Sequence, residues 1–298
     1  MTPRTFGQTG YAVTPLGIGC TDSVEVINTL LDAGANLVDT AQCYGSHEEF
    51  LGTHFRARRA DFFLQSKCGH HDVLPDGSLR SRRIRMADID QALHRLQTDY
   101  LDAMLLHSYD LDALRDGEAI SVLEAAKREG KIRFIGYSGD NERALYAARH
   151  PAFDLLETSL NLADQRQIET LLPLCAERGL AVVAKRPVAN AAWRALDGDG
   201  PFAAKATVYT RRLAAMNLSL TDLGFSETPD GWTELALRFV LSIPGLHCAI
   251  IGTRNPDHAR KNIQLAAQGP LPEETMSKLR QTFQEAERTS GTVWPGEN

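Results

Sequence analysis

The chain has little that could staple it together. Its five cysteines, Cys20, Cys43, Cys68, Cys175 and Cys248, are odd in number, scattered and never spaced as CxxC. That argues against a disulfide framework and a four-thiolate metal site, and fits a reducing cytosol. No stretch approaches the ~18 consecutive apolar residues of a membrane-crossing helix. The first residues lack the apolar core of an export signal, so a cytoplasmic protein without a membrane partner is expected. Basic residues are outnumbered too: 32 Lys and Arg stand against 38 Asp and Glu, a formal net charge of −6. Only 80–85 gathers arginines, with no interleaved aromatics, so no nucleic-acid partner is expected. There is no low-complexity tract, and no internal repeat beyond the alternation described next.

What remains is an ordinary globular composition, 43% hydrophobic and 23% charged over 298 residues, long enough to bury a large core without staples. Short apolar runs fall at 15–19, 36–39, 62–66, 101–107, 132–138, 153–158, 180–185 and 248–252. Each is too short for a buried helix and most are almost continuously hydrophobic, as strands covered on both faces should be. Helical spacing fills the gaps, at 23–33 before Gly34, at 86–96, at 119–129 before Gly130, and at 165–178 before Gly179. Glycine in these places suits the left-handed residue that ends a helix. Eight strand–helix units in one chain of this size predict an α/β fold of the (β/α)8 TIM-barrel type, a single domain spanning 1–298. The alternative is an open doubly wound sheet. It usually carries a Gly-rich phosphate loop after its first strand, and Gly17-Ile-Gly19 lacks that fingerprint's third glycine.

The rhythm breaks at 189–230, where no strand is predicted and turn residues cluster at 197–201. This reads as a long, partly helical loop after strand 7 on the barrel's C-terminal face. The segment 270–298 adds an extra helix and a tail.

Active sites of such barrels are built at the C-terminal ends of the strands. Asp39 closes the second run, Tyr44 follows five residues later, Lys67 closes the third and His107 ends the fourth. Singly, each has an ordinary explanation: a turn aspartate, a solvated lysine, a structural histidine. Together, on three consecutive strand ends, they suit one chemistry. A Tyr phenol ionises too high for easy proton exchange near neutrality. An adjacent Lys ammonium favours the phenolate, and an Asp holds that ammonium charged and oriented. A His donor can polarise a carbonyl and stabilise the alkoxide that forms on hydride attack. No nucleophile stands beside a base, and no His/carboxylate cluster has metal-ligand spacing; the His70-His71 pair points apart on most backbones, so no metal is expected.

The segment Leu37-Val-Asp-Thr-Ala-Gln-Cys-Tyr-Gly-Ser-His-Glu-Glu-Phe-Leu-Gly52 resembles the first signature of the aldo-keto reductase superfamily. Leu93-His-Arg-Leu-Gln-Thr-Asp-Tyr-Leu-Asp-Ala-Met-Leu-Leu-His107 resembles the second. Gly130-Lys-Ile-Arg-Phe-Ile-Gly-Tyr-Ser138 and Ala249-Ile-Ile-Gly-Thr-Arg-Asn-Pro256 match two more, in the family's order. The resemblance implies NADP(H), with NAD(H) as an alternative, lying extended across the barrel's C-terminal face, and a small-molecule carbonyl as substrate. It implies that Tyr44 is the general acid, tuned by Lys67 and Asp39, and that His107 orients the carbonyl. It places Ser138 at the nicotinamide carboxamide, and Gly252, Thr253, Arg254 and Asn262 around the adenosine end and its phosphates.

Several positions depart from the family pattern. Gly139 stands where an Asn is usual, Glu157 where a Gln completes the carboxamide grip, and Lys185 where an aromatic ring stacks on the nicotinamide. His258 and Lys261 replace a common Arg and Glu, leaving Arg254 to favour NADP over NAD. Cys43 and Cys68 adjoin members of the tetrad and read as space-fillers rather than redox sensors. Trp193 or Trp294 could line the substrate pocket. A reductase of aldehydes or ketones, or the reverse oxidation, is the reading that follows. A nicotinamide-binding sensor with little turnover and a cofactor-free barrel hydrolase using Asp39 as base are the alternatives.

Overall fold

A computed structural model describes residues 1–73, 79–194 and 201–297. All eight expected runs are strands: β1 (Leu16–Ile18), β2 (Leu37–Asp39), β3 (Phe63–Cys68), β4 (Leu101–His107), β5 (Ile132–Ser138), β6 (Leu155–Ser159), β7 (Ala181–Lys185) and β8 (Cys248–Ile251). They pair in parallel, each with its sequence neighbours, and β8 returns to β1 to close the ring. The fold is the (β/α)8 barrel.

Helices follow the strands in alternation and form the outer layer, beginning with Val24–Asp32 after β1 and ending with Pro256–Ala267 after β8. The first starts where Ser23 Oγ accepts the Val26 N–H, satisfying one of the donors a helix leaves open. The stretch read as one helix over 165–178 is two, Gln167–Thr170 and Leu172–Arg178. Pro173 sits in the first turn of the second piece, where its missing N–H costs nothing, whereas within a continuous helix it would break a bond.

Period-two alternation along each strand explains how one apolar run serves two layers. The outward-facing set, including Val38, Leu64, Met104, Leu106, Ile135, Tyr137, Leu156 and Val182, belongs to the core shared with the helices. The inward set has its own core: Leu37, Phe63, Ala103, Leu105, Leu155, Ala181, Val183, Cys248 and Ile250. The same inward phase continues toward the C-terminal ends as Asp39, Gln65 and Lys67, His107, Ser138, Glu157 and Ser159, and Lys185. The lumen is therefore apolar at its floor and polar at its mouth, and register sets the side chains of that mouth opposite one another.

A short hairpin, Arg4–Thr5 with Ala12–Val13, closes the floor. It presses Phe6 edge-on against Phe63 with ring centres 5.2 Å apart. A second hairpin, His71–Val73 with Leu79–Ser81, follows β3. Neither is visible as periodicity, because two- and three-residue strands are shorter than any window that resolves a period of two.

Among the described residues, 189–230 holds no strand, as expected. It is chiefly helical: Pro201–Met216, a single turn at Thr221–Leu223, and the start of Pro229–Leu241. Of the turn cluster at 197–201, residues 197–200 lie outside the described residues. The extra helix is Glu273–Ser290, and the tail beyond it folds back over the barrel mouth. There Asn141 bonds both the N–H and the carbonyl of Gly296, and Arg212 donates to Pro295 O and Glu297 Oε1. No helix among the described residues is long and apolar enough to cross a membrane.

Candidate active site

The three strand-end residues and Tyr44 converge. Lys67 Nζ donates to both oxygens of Asp39, at 2.5 and 2.6 Å, and to the Thr40 carbonyl at 3.2 Å. The same ammonium lies 5.1 Å from the centre of the Tyr44 ring. The Tyr44 and His107 rings meet edge to face with centres 5.9 Å apart. Lys67 and Asp39 are both buried, at 1% exposure each, so their charges meet with little screening.

The charge states follow from burial first and neighbours second. Burial works against the Lys67 cation, yet the Asp39 and Glu157 carboxylates raise it above the ordinary lysine value, so it stays charged. Burial raises the Tyr44 phenol and Lys67 only partly opposes this, so the net direction is upward. Lys67 acts in the expected direction, but burial outweighs it: with the mouth desolvated, the phenol keeps its proton. His107 is held well below the ordinary histidine value by burial and then by the Lys67 charge, and is neutral. Cys43 Sγ lies 3.4 Å from its Nδ1. With the thiol donating there, Nε2 carries the ring hydrogen and can donate into the pocket.

Gln65, a residue the sequence reading passed over, lies one inward position below Lys67. Its Nε2 donates to Asp39 Oδ1 at 2.8 Å and to Glu157 Oε2 at 2.7 Å. Ser138 Oγ donates to Glu157 Oε1 at 3.1 Å. Lys185 pairs with Asp140 at 3.1 Å. Asp140 in turn accepts from Thr158 Oγ1 and from the N–H and Oγ of Ser159. Asp140 was also missed, although it follows Ser138 by two residues. Lys205, from helix Pro201–Met216, is lowered to about 7 by burial and then by the Arg186 and Lys185 charges. No periodic signal could have placed it beside the mouth.

Cys43, His70 and His107 bring three possible ligand atoms within 4.8 Å of one another. Sequence spacing did not suggest this cluster, because its members come from three separate strand ends. The buried Lys67 ammonium, and with it Lys185, acts on His107, and Lys205 where it is protonated acts on both His107 and His70. They oppose a divalent ion there.

Beyond β8 the junction carries the other residues singled out from sequence. A Cβ at Gly252 would lie 2.8 Å from the Cys20 carbonyl, so the chain passes here only as glycine. Thr21 Oγ1 donates to Thr253 O, and Asn255 accepts the Asp257 N–H to cap helix Pro256–Ala267. Arg254, 82% exposed, meets Asp22 at 2.7 Å, a surface pair weak enough to exchange for a phosphate. Asn262 is buried about two turns along. A capped helix N-terminus, a close-packed glycine and an exposed arginine held only by a surface pair fit the phosphate end of a dinucleotide. The mouth fits the nicotinamide end in position, but Ser138, Glu157 and Lys185 are bonded to protein partners there. Trp193 stacks on Trp232 with centres 5.8 Å apart, and Trp294 packs on Phe283 at 5.3 Å.

A model of the aldo/keto reductase family matches residues 6–283. The oxidoreductase YqkF of Bacillus subtilis strain 168 is 28% identical, over 94% of this chain and 96% of its own. An aldo-keto reductase from Bacillus halodurans, solved in a holo form, superposes with a TM-score of 0.77 at 26% identity, over 95% of this chain and 96% of that one. One from Klebsiella pneumoniae, solved in complex with NADPH, gives 0.69 at 25% identity, over 95% and 96%. Fold, site and relatives together define an NAD(P)H-dependent oxidoreductase. The chain belongs to the aldo/keto reductase family.

Proposed function

We propose that the protein reduces an aldehyde or ketone to the alcohol, or runs the reverse oxidation, with Tyr44 as general acid and base. The observation that carries this is the buried Lys67 ammonium, locked to Asp39 at 2.5 Å and held over the Tyr44 ring, with His107 at the ring's edge. NADPH, when bound, would supply the hydride. Arg254, Thr253, Gly252 and Asn262 would hold its adenosine end, and Ser138 would face its nicotinamide; Arg254 is the reason to favour NADPH over NADH. Glu157 and Lys185 face the same pocket.

The residues of the chain then divide the work. His107, neutral, donates from Nε2 to the substrate oxygen and fixes the carbonyl above Tyr44. Tyr44 is a phenol because burial keeps it so, and it gives its proton to the developing alkoxide. Lys67 stabilises the phenolate left behind, and Asp39 keeps Lys67 charged. The dry apolar floor below excludes water from these charges and strengthens each interaction.

Incubation with NADPH and a panel of aldehydes and ketones, followed by nicotinamide absorbance, tests this. Turnover should fall by about 10²–10⁴-fold in Tyr44→Phe, with NADPH affinity unchanged. Equal activity in the native and Tyr44→Phe proteins would remove Tyr44 from the mechanism.

A further inference from the structure

The barrel places Glu157 across the lumen from Asp39, because β2 and β6 lie four strands apart in an eight-strand ring. Side chains of β3 span the gap between them. Gln65 Nε2 bonds to both carboxylates, at 2.8 and 2.7 Å, and Lys67 Nζ sits 3.4 Å from Glu157 Oε1 while gripping Asp39. Asp39, Gln65, Lys67 and Glu157 are each 2% exposed or less. Both oxygens of Glu157 thus turn toward the proton-donating residues or toward Ser138.

We propose that Glu157 is a positioning residue of the acid site: with Gln65 as bridge, its carboxylate clamps Lys67 from the wall opposite Asp39 and sets its own negative charge against that of Asp39. Two carboxylates around one ammonium leave an excess negative charge in a dry lumen, which is costly. Burial and then Glu157 raise the Asp39 carboxyl to about 7, while Lys67 and the Gln65 hydrogen bond act the other way. The other titratable groups facing this pair are Tyr44 and Cys43 after β2, Cys20 after β1, Cys248 on β8 and Lys185 on β7. The three thiols are raised and neutral near pH 7, and Lys185 is committed to Asp140. Glu157 is therefore the neighbouring charge that opposes ionisation of Asp39. The structure supports this clamp without reference to turnover. Its effect on catalysis rests on the reading of Tyr44 as the acid: both carboxylates raise the phenol, so reduction should slow as Asp39 ionises with rising pH.

Infrared titration of the ligand-free protein tests the clamp, following the carbonyl stretch of a protonated buried carboxyl assigned by its absence in Asp39→Asn. Glu157→Gln should move the loss of that band to lower pH by about one unit or more. Gln65→Met removes a bond that favours the ionised form and should move it to higher pH. These opposite signs also keep the test decisive should one variant fail to fold. The pH profile of kcat for carbonyl reduction should move in the same directions. A band that titrates identically in the native and Glu157→Gln proteins overturns the proposal. So does a Glu157→Gln protein with altered NADPH affinity and an unmoved pH profile, which would make Glu157 a ligand of the carboxamide. A shifted band in a protein with no reductase turnover would sink the Tyr44 reading and leave the clamp standing.

Discussion

Lys67 shows what a single residue carries here. It is a fully buried ammonium, and the carboxylates that surround it have no other cation at comparable distance among the described residues. Removing one partner of a buried ion cluster costs about 3–5 kcal/mol, because the remaining charge is stranded. Lys67→Met should therefore abolish turnover and also destabilise the fold by about that amount near neutral pH. The loss should shrink toward about pH 5, where Asp39 takes up a proton instead of staying charged. Urea denaturation of both proteins at about pH 5 and about pH 8 checks this; an equal penalty at both would show that no stranded carboxylate is involved. At this scale the sequence was readable in residue type and order. Asp39, Lys67 and His107 stand where strand ends were expected, and Tyr44 in the loop five residues past the first of them. The direction of the Tyr44 shift was not readable, since it depends on how much water the folded mouth excludes.

At the scale of elements, close approach decides what propensity cannot. Gly52 lies in helix His47–Phe55, where a helix interior would ordinarily gain about 1 kcal/mol from alanine. A Cβ there would sit 2.3 Å from the Arg95 carbonyl and 2.8 Å from the Leu96 carbonyl carbon, on the neighbouring helix Met86–Leu96. Backbone cannot yield as a flexible side chain can, and overpacking of this kind costs about 1–3 kcal/mol. Gly52→Ala should thus lower the urea midpoint despite its better helix propensity, and a raised midpoint would show that the two helices can part without cost. Element existence was plain from periodicity, as the eight strands show. The floor hairpin, the hairpin after β3 and the break before Pro173 were not. The first two are too short to repeat, and the third needs one residue to outweigh an apolar pattern that continues through it.

For the molecule as a whole, the buried polar network beneath the tail ties separate segments together. Asp164 accepts from the Tyr209 hydroxyl on helix Pro201–Met216 and from the Glu297 N–H in the tail. Burial and the nearby Asp140 charge raise its carboxyl to about 7. A raised carboxyl stabilises the folded state fully below its unfolded value, near 4, and that contribution is lost as pH climbs to about 7. Asp164→Asn has no such dependence. Its melting temperature should therefore improve relative to the native protein between about pH 5 and about pH 8; a constant difference would show that Asp164 does not titrate in this range.

By itself the sequence determined the barrel, the order of its units and the polar residues at and just past the strand ends, because those follow from local periodicity and from motifs contiguous in the chain. Only the tertiary structure decided what closing the ring brings together. Glu157 comes to face Asp39 across the lumen, Gln65 to bridge them, Lys185 to meet Asp140, and the tail to reach Arg212. Each pairing joins residues far apart in the chain. Their distance is set by strand register and barrel curvature, and no local pattern encodes either.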